Sequence, residues 1–152
     1  MIKTLLDQLS NSLTAEIKAD NYDREHALRL ATAALMIDVA RADHVFDETE
    51  FDRVLRLTEK HFHLSPEQSA ELVNAAGTKA EDMVSVYEFT RTLHKHLSDD
   101  EKAKVISLLW QVAYADGRLD KYEDSLILKI SDLLYVSRGL VMRLKHDASG
   151  ME

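Results

Sequence analysis

Cysteine is absent from this chain of 152 residues, and proline and glycine are scarce. Without cysteine the protein forms no disulfide, no thiolate metal site, no iron–sulfur cluster and no cysteine nucleophile. The one proline, Pro66, and the four glycines leave few places at which a regular element has to end. The sequence therefore accommodates long helices almost throughout.

Long apolar runs are missing too. No stretch of about 18 apolar residues occurs, so the sequence predicts no transmembrane helix. The N-terminal residues include Asp7, Glu16 and Asp20 and lack the apolar core of a signal peptide. Both observations predict a cytoplasmic protein.

Basic residues are the minority charge, with 19 Lys and Arg against 27 Asp and Glu and a net charge of −8. Because the neutralisation of phosphates supplies most of the affinity for nucleic acids, this balance predicts that the protein binds none. It favours cations and protein partners instead, basic ones in particular.

The motifs that mark common catalytic sites do not occur. The chain has no Glu-x-x-His pair for a di-iron bundle, no His-Glu-x-x-His zinc motif, no glycine-rich phosphate loop and no Gly-x-Ser-x-Gly. The closest histidine pairs, His61-x-His63 and His94-x-His96, would point to different sides of a helix. We therefore predict no enzymatic activity and no catalytic residue.

Apolar residues recur at three- and four-residue spacing, and no segment alternates with a period of two. This pattern predicts an all-α fold, a compact bundle of seven to eight helices that forms one domain over residues 1–152. The predicted helices lie within 1–20, at about 23–42 and 47–61, and from Ser65, Ser85, Ser98, Asp120 and Ser137 onward. We expect the helix from Ser65 to end near Gly77 and residues 145–152 to form a flexible tail.

The predicted N-terminal helix has an apolar stripe along one side. The stripe consists of Ile2, Leu5, Leu6, Leu9, Leu13 and Ile17. Such a helix could associate with a membrane surface, but its mixed charges, with Lys3 and Lys18 among the acids, favour packing on the bundle.

The two halves of the chain resemble each other. Residues 39–43, Val-Ala-Arg-Ala-Asp, match residues 112–116, Val-Ala-Tyr-Ala-Asp, at an offset of 73 positions. The shared pattern continues as an apolar residue, an aspartate and a glutamate, so each copy reads as helix, acidic turn, helix. Two such hairpins packed around a pseudo-two-fold axis would bury their apolar faces together and could bring the two acidic turns close to each other.

Helix capping is one interpretation of the acidic turns. Asp47 and Asp120 stand where helices begin and can accept hydrogen bonds from backbone amides of the first turn. Glu50 and Glu123 follow three residues later, as in a capping box, and favour the positive end of the helix dipole. Gly117 can adopt the left-handed conformation that ends the preceding helix.

Cation binding is the other interpretation. Asp43 and Asp116 place carboxylates at helix C-termini, where the dipole disfavours negative charge. Residues 38–52 carry a net charge of −5 and residues 116–124 a net charge of −2. A hard cation such as Ca²⁺, Mg²⁺ or Mn²⁺ would relieve this repulsion through oxygen ligands. An EF-hand is excluded because neither turn has the ligands and glycine at the required positions.

The two copies of Ala-Asp-x-x-x-Asp-x-x-Glu, joined by helical segments, resemble the TerB family of tellurite-resistance proteins. The same fold forms the N-terminal module of DjlA-type membrane co-chaperones, although the J-domain signature of such co-chaperones is absent here. The resemblance covers about residues 28–144 and implies a helical bundle with a divalent-cation site and a role in stress response or in complexes near the membrane. The positions that match the motif are Asp43, Asp47, Glu50, Asp116, Asp120 and Glu123.

The leading hypothesis is a non-enzymatic module that binds a divalent cation through these six acids and offers a surface to a protein partner. The alternative is a metal-independent protein-interaction domain in which the acids only cap helices. An acid–base enzyme would need a concave apolar pocket beside the same carboxylates.

Overall fold

The computed structural model describes residues 24–42, 48–81, 86–115 and 117–150, with side chains at all of these positions except 79–81. This part of the chain contains seven α-helices and no strand, which confirms the predicted all-α bundle. The helices are α1 (24–40), α2 (Glu48–Phe62), α3 (Pro66–Glu81), α4 (Val86–His96), α5 (Asp99–Ala113), α6 (Lys121–Leu133) and α7 (Arg138–Ser149). The predicted helix within residues 1–20 lies outside the described residues.

Serine side chains begin three of the helices, as the sequence predicts. Ser65 Oγ accepts a bond from the Gln68 amide, and the Gln68 side chain accepts one from the Ser65 amide, at 3.1 and 3.0 Å. Ser98 and Glu101 form the same reciprocal capping box at the start of α5. Ser137 accepts a bond from the Leu140 amide at the start of α7. These bonds satisfy amides that have no partner within their own helix.

Helix α1 is buried around its whole circumference. Seven consecutive residues, Ala31 to Ile37, are buried, and at 100° per residue such a run faces every direction. The sequence predicts only a stripe on this helix, and it places Ala27 in the core. The structure corrects this, because Ala27 is exposed in the first turn.

Helix α5 is the second inner helix, and it packs against α2, α6 and α7. Eight of its residues are buried, among them Trp110, as predicted. The predicted apolar faces of α4 and α6 are confirmed as well, with Phe89 and Leu93 inward on α4 and Ile127 and Ile130 inward on α6.

The ends of α2 and α6 share one backbone conformation. His63 and Tyr135 have positive φ angles of 55° and 59°. The next amides, of Leu64 and Val136, each donate to the carbonyl five residues earlier, which is the six-to-one bond of a Schellman motif. Glycine is the usual residue at this position, because a side chain there is strained.

Two helices extend further than the sequence indicates. Helix α3 continues through Gly77, where a Cβ atom would lie 3.9 Å from Ile37 Cδ1, so packing on α1 outweighs the weak helix propensity of glycine. Helix α7 continues to Ser149, and Ala148 is buried. The segment expected to form a flexible tail from residue 145 is therefore helical as far as Ser149, where the buried side chain of Ala148 anchors the last turn. Among the described helices, none combines the length and apolar composition that a bilayer crossing requires.

We predict that Ser98→Ala lowers the free energy of unfolding by about 1 kcal/mol, because the Glu101 amide loses its capping acceptor. Urea unfolding followed by the fluorescence of Trp110 measures the change. Ser125→Ala on the exposed face of α6 is the control and should not destabilise the protein, since Ala is the better helix former there. Equal losses in both variants would contradict the capping role.

Candidate functional site

Two of the predicted acids are buried inside the bundle. Glu50 and Glu123 are the third residues of α2 and α6 and are 3% and 2% exposed. Burying a carboxylate is costly unless other groups compensate its charge. The amides at a helix N-terminus compensate part of it, because this end of the helix carries partial positive charge. Each half of the chain therefore has one buried carboxylate at the start of a helix.

Glu101 shows what a glutamate at the same helix position does when it serves as a cap. It is the third residue of α5, is exposed, and accepts a 2.9 Å bond from the Ser98 amide. This bond from Ser98 lowers the pKa of the Glu101 carboxyl. Glu50 and Glu123 occupy the same position in their helices but point into the protein. Their burial is therefore more than capping requires.

Asp120 caps α6. Its Oδ2 atom accepts bonds from the amides of Tyr122, at 2.8 Å, and of Glu123, at 3.3 Å. Gly117 precedes it with a φ of 79°, the left-handed conformation that the sequence predicts. The capping interpretation is thus confirmed for Asp120. Both bonds end on Oδ2, so Oδ1 takes no part in the cap.

The remaining acids, Asp43, Asp47 and Asp116, lie outside the described residues. Helix α5 contacts both α2 and α6, so the two helices that carry Glu50 and Glu123 share a neighbour. Within the part of the chain that the structure describes, no three His, Asp or Glu side chains are close enough to hold a metal ion. Whether the six acids converge thus stays a prediction.

Asp38 is a titratable residue before the first acidic turn that the sequence motif does not include. It lies on α1, five residues before Asp43, and is half-buried. Burial raises its pKa to about 6, and the charge of Arg41 opposes this by a smaller amount. The residue could have been found from its position, since the flanking Ile37 and Val39 are both core residues. A carboxyl group with a raised pKa therefore precedes the first acidic turn.

Two of the grooves that described residues form are lined by side chains other than the predicted acids. One of about 240 Å³ lies between Leu28 of α1, Phe62 and Val105. A second, of about 450 Å³, lies along α2, where Arg53, Arg56 and Lys60 make it basic. Neither contains any of the six predicted acids. The concave apolar pocket that an acid–base enzyme would require is therefore not among these grooves.

The comparison with protein families identifies the fold. The family model described as "Tellurite resistance protein TerB" matches residues 29–146. The chain belongs to the TerB family. The match spans most of the chain and contains both acidic turns, which confirms the resemblance seen in the repeated motif. The predicted N-terminal helix within residues 1–20 precedes it.

A solved structure supports the same fold. PG1108 from Porphyromonas gingivalis W83, a protein of unknown function, aligns with a TM-score of 0.62 and 19% sequence identity. The alignment covers 82% of this chain and 95% of that one. At this identity the likeness shows the fold alone. No curated protein matches the chain.

We predict that Asp120→Ala lowers the free energy of unfolding by about 1 kcal/mol in buffer with EDTA, whereas Asp120→Asn lowers it much less. Asparagine accepts the same amide bonds as aspartate, so a capping role depends on the oxygen and not on the charge. Urea unfolding of both variants measures this. Equal destabilisation by the two substitutions would show that the charge of Asp120 matters in the metal-free protein.

We predict that Asp38 makes the protein less stable as the pH rises. The folded state holds the proton of Asp38 more tightly than the unfolded state, whose pKa is near 3.8. The resulting stabilisation is complete below the unfolded pKa and is lost as the pH rises through about 6. Asp38→Asn should therefore be more stable than the wild type near neutral pH and should lack this part of the decline. Urea unfolding from about pH 4 to pH 7 tests the prediction, and parallel curves would contradict it.

Proposed function

We propose that this TerB-family chain is a non-enzymatic cytoplasmic module in which the two acidic turns bind a divalent cation. The observation that supports the proposal is the burial of Glu50 and Glu123 at equivalent positions of α2 and α6. Both carboxylates follow an acid-rich turn, and their oxygens are of the kind that a hard cation prefers as ligands. The family description supports a role in tellurite or metal stress.

The donor set fits a hard cation. Its members are the carboxylates of Asp43, Asp47, Glu50, Asp116, Asp120 and Glu123. Carboxylate oxygens are the ligands that Ca²⁺, Mg²⁺ and Mn²⁺ prefer, and Ca²⁺ takes six to eight of them. At Asp120 the cap uses Oδ2, so a cation could bind Oδ1 while the cap persists. A bound ion would link and stiffen the two turns and thereby change the surface that the bundle offers to a protein partner.

The alternative function is that of a metal-independent interaction domain. The hydrogen bonds of Asp120 to the amides of Tyr122 and Glu123 favour it, because they give this aspartate a structural role without any ion. In this alternative the acids only stabilise the turns, and the surface of the domain binds a protein partner without any ion.

Thermal unfolding after EDTA treatment, with and without millimolar Ca²⁺, Mg²⁺ or Mn²⁺, tests the proposal. An ion at about 100 times its Kd adds about 2.7 kcal/mol to the free energy of unfolding, which raises Tm by several degrees in a domain of this size. We expect the double variant Asp43→Asn/Asp116→Asn to lose this rise. We expect Glu50→Gln and Glu123→Gln to reduce it, each replacing a buried carboxylate by an amide of similar shape.

Glu101→Gln is the matched control, because it makes the same change at the third position of α5, where the side chain is exposed. It should weaken the capping box and keep the ion-dependent rise in Tm. A wild-type protein whose Tm responds to none of the ions would overturn the cation site and leave the interaction domain. A rise lost only in Glu101→Gln would place the ion elsewhere.

A further inference from the structure

Three exposed tyrosine side chains belong to α4, to α6 or to the residues that follow α6. Tyr87 of α4 is 55% exposed, Tyr122 of α6 is 54% exposed, and Tyr135, directly after α6, is 78% exposed. Helices α4 and α6 are in contact. Tyrosine is enriched at protein interfaces, because its ring buries a large area and its hydroxyl still finds a hydrogen-bond partner.

Two side-chain contacts join the helices at either end of the boundary between α4 and α6. At one end Lys129 Nζ of α6 lies 5.6 Å from the centre of the Tyr87 ring of α4. At the other end the rings of His94 and Tyr135 lie 4.7 Å apart. The chain advances seven residues along α4 and six along the α6 side between these contacts, so both helices run in the same direction. The two contacts therefore lie about two helical turns apart, and Tyr122, seven residues before Lys129 on the same face of α6, extends the surface along α6 to roughly three and a half turns.

We name this surface the aromatic–basic seam. It consists of Tyr87, Arg91, His94, Tyr122, Lys129 and Tyr135. Arg91 belongs to it because it follows Tyr87 by one helical turn and is exposed. Leu126, half-buried one turn after Tyr122, adds apolar area to this side of α6.

The charge of the seam is opposite to that of the protein. Arg91 and Lys129 are exposed within it, and Lys121 adds a third cation, 5.1 Å from the centre of the Tyr122 ring. Glu88 of α4 is exposed beside Tyr87 and offsets one of these cations, Glu123 of α6 is buried, and the other two acids of α6 are paired. Asp124 binds Lys145 at 2.7 Å, and Asp132 binds Arg138 at 3.2 Å. A chain with a net charge of −8 therefore presents a basic, tyrosine-rich surface on one side.

Tyr135 occupies its place at a cost to stability. Its φ of 59° is one that glycine adopts without strain, and its ring is largely exposed to solvent. The contact with His94 orients the ring, and the buried Lys102 holds His94 from the other side through a 2.7 Å bond to Nδ1. His63 has the same conformation at the end of α2, so what distinguishes Tyr135 is the exposure and orientation of its ring.

We propose that the aromatic–basic seam is the docking surface for an acidic helical segment of another protein. A partner helix of about three turns matches the length of the seam. Its carboxylates can accept hydrogen bonds from the lysine, arginine and tyrosine side chains of the seam. The net charge of −8 repels acidic molecules of every kind, so the occupant also has to gain apolar contacts. A helical protein segment can set apolar side chains against the tyrosine rings and Leu126 while its carboxylates meet the cations. This assignment does not depend on a cation at the acidic turns.

A fluorescein-labelled peptide of 16 residues, built from Glu, Leu and Ala with the leucines on one helical face, serves as the probe. We expect fluorescence anisotropy to show saturable binding that weakens with added salt, and at least tenfold weaker binding when every Glu is replaced by Gln. Chemical-shift changes in the NMR spectrum of the full chain should fall on α4 and α6.

The variants separate the seam from charge in general. Lys129→Glu and Tyr87→Ala should each weaken binding about five- to tenfold. Lys60→Glu makes the same charge change on the exposed surface of α2 and should alter it less than twofold. Tyr135→Gly should weaken binding and leave Tm equal or higher, because glycine relieves the strained φ. A residue with only a structural role would not be expected to weaken binding while Tm stays equal or rises.

Four results would overturn the proposal. The first is no binding of the acidic peptide at 1 mM, and the second is an equal effect of Lys60→Glu and Lys129→Glu. Tighter binding of a labelled single-stranded DNA of 16 nucleotides would assign the seam to nucleic acid. A wild-type dimer in light scattering that Lys129→Glu converts to a monomer would assign it to a second copy of this chain.

Discussion

The enclosure of α1 is the constraint on which the rest of the structure depends. From Ala31 to Ile37 no side of this helix is exposed, so the other elements have to surround it. Alanine at positions 31, 33, 34 and 40 keeps the helix thin and allows neighbours to approach closely. The approach is direct at α3, where Gly77 lies against Ile37. The first turn of α1 lines a groove, and the acidic turn follows its last turn.

The acidic turns combine structural and chemical demands at the same places. Asp120 satisfies backbone amides of α6, and its cap would form in any helical protein. Glu123, three residues later, is buried, whereas Glu101 at the same position of α5 is exposed. Burial disfavours a charged carboxylate unless other groups compensate its charge, and the amides at the starts of α2 and α6 compensate part of it for Glu50 and Glu123. Asp38 lies on α1 five residues before Asp43, and its burial raises its pKa.

Opposite charges are separated on this molecule. The acidic residues gather at the turns that precede α2 and α6, whereas the aromatic–basic seam follows the outer boundary of α4 and α6. Helix α6 takes part in both, since its first turn carries Glu123 inward and Tyr122 outward. A change at the acidic turn would therefore reach the seam through one rigid helix.

The sequence by itself determined the helical class, the helix starts at Ser65, Ser98, Asp120 and Ser137, and the acid-rich turns. These are local properties, set by apolar periodicity and by hydrogen bonds over three residues. Only the tertiary structure decided the rest. The burial of α1 on all sides, the passage of α3 through Gly77 and the anchoring of α7 by Ala148 depend on contacts between residues distant in sequence. The same holds for the seam, because Tyr87, Lys129 and Tyr135 have no shared sequence pattern and meet only where α4 packs beside α6.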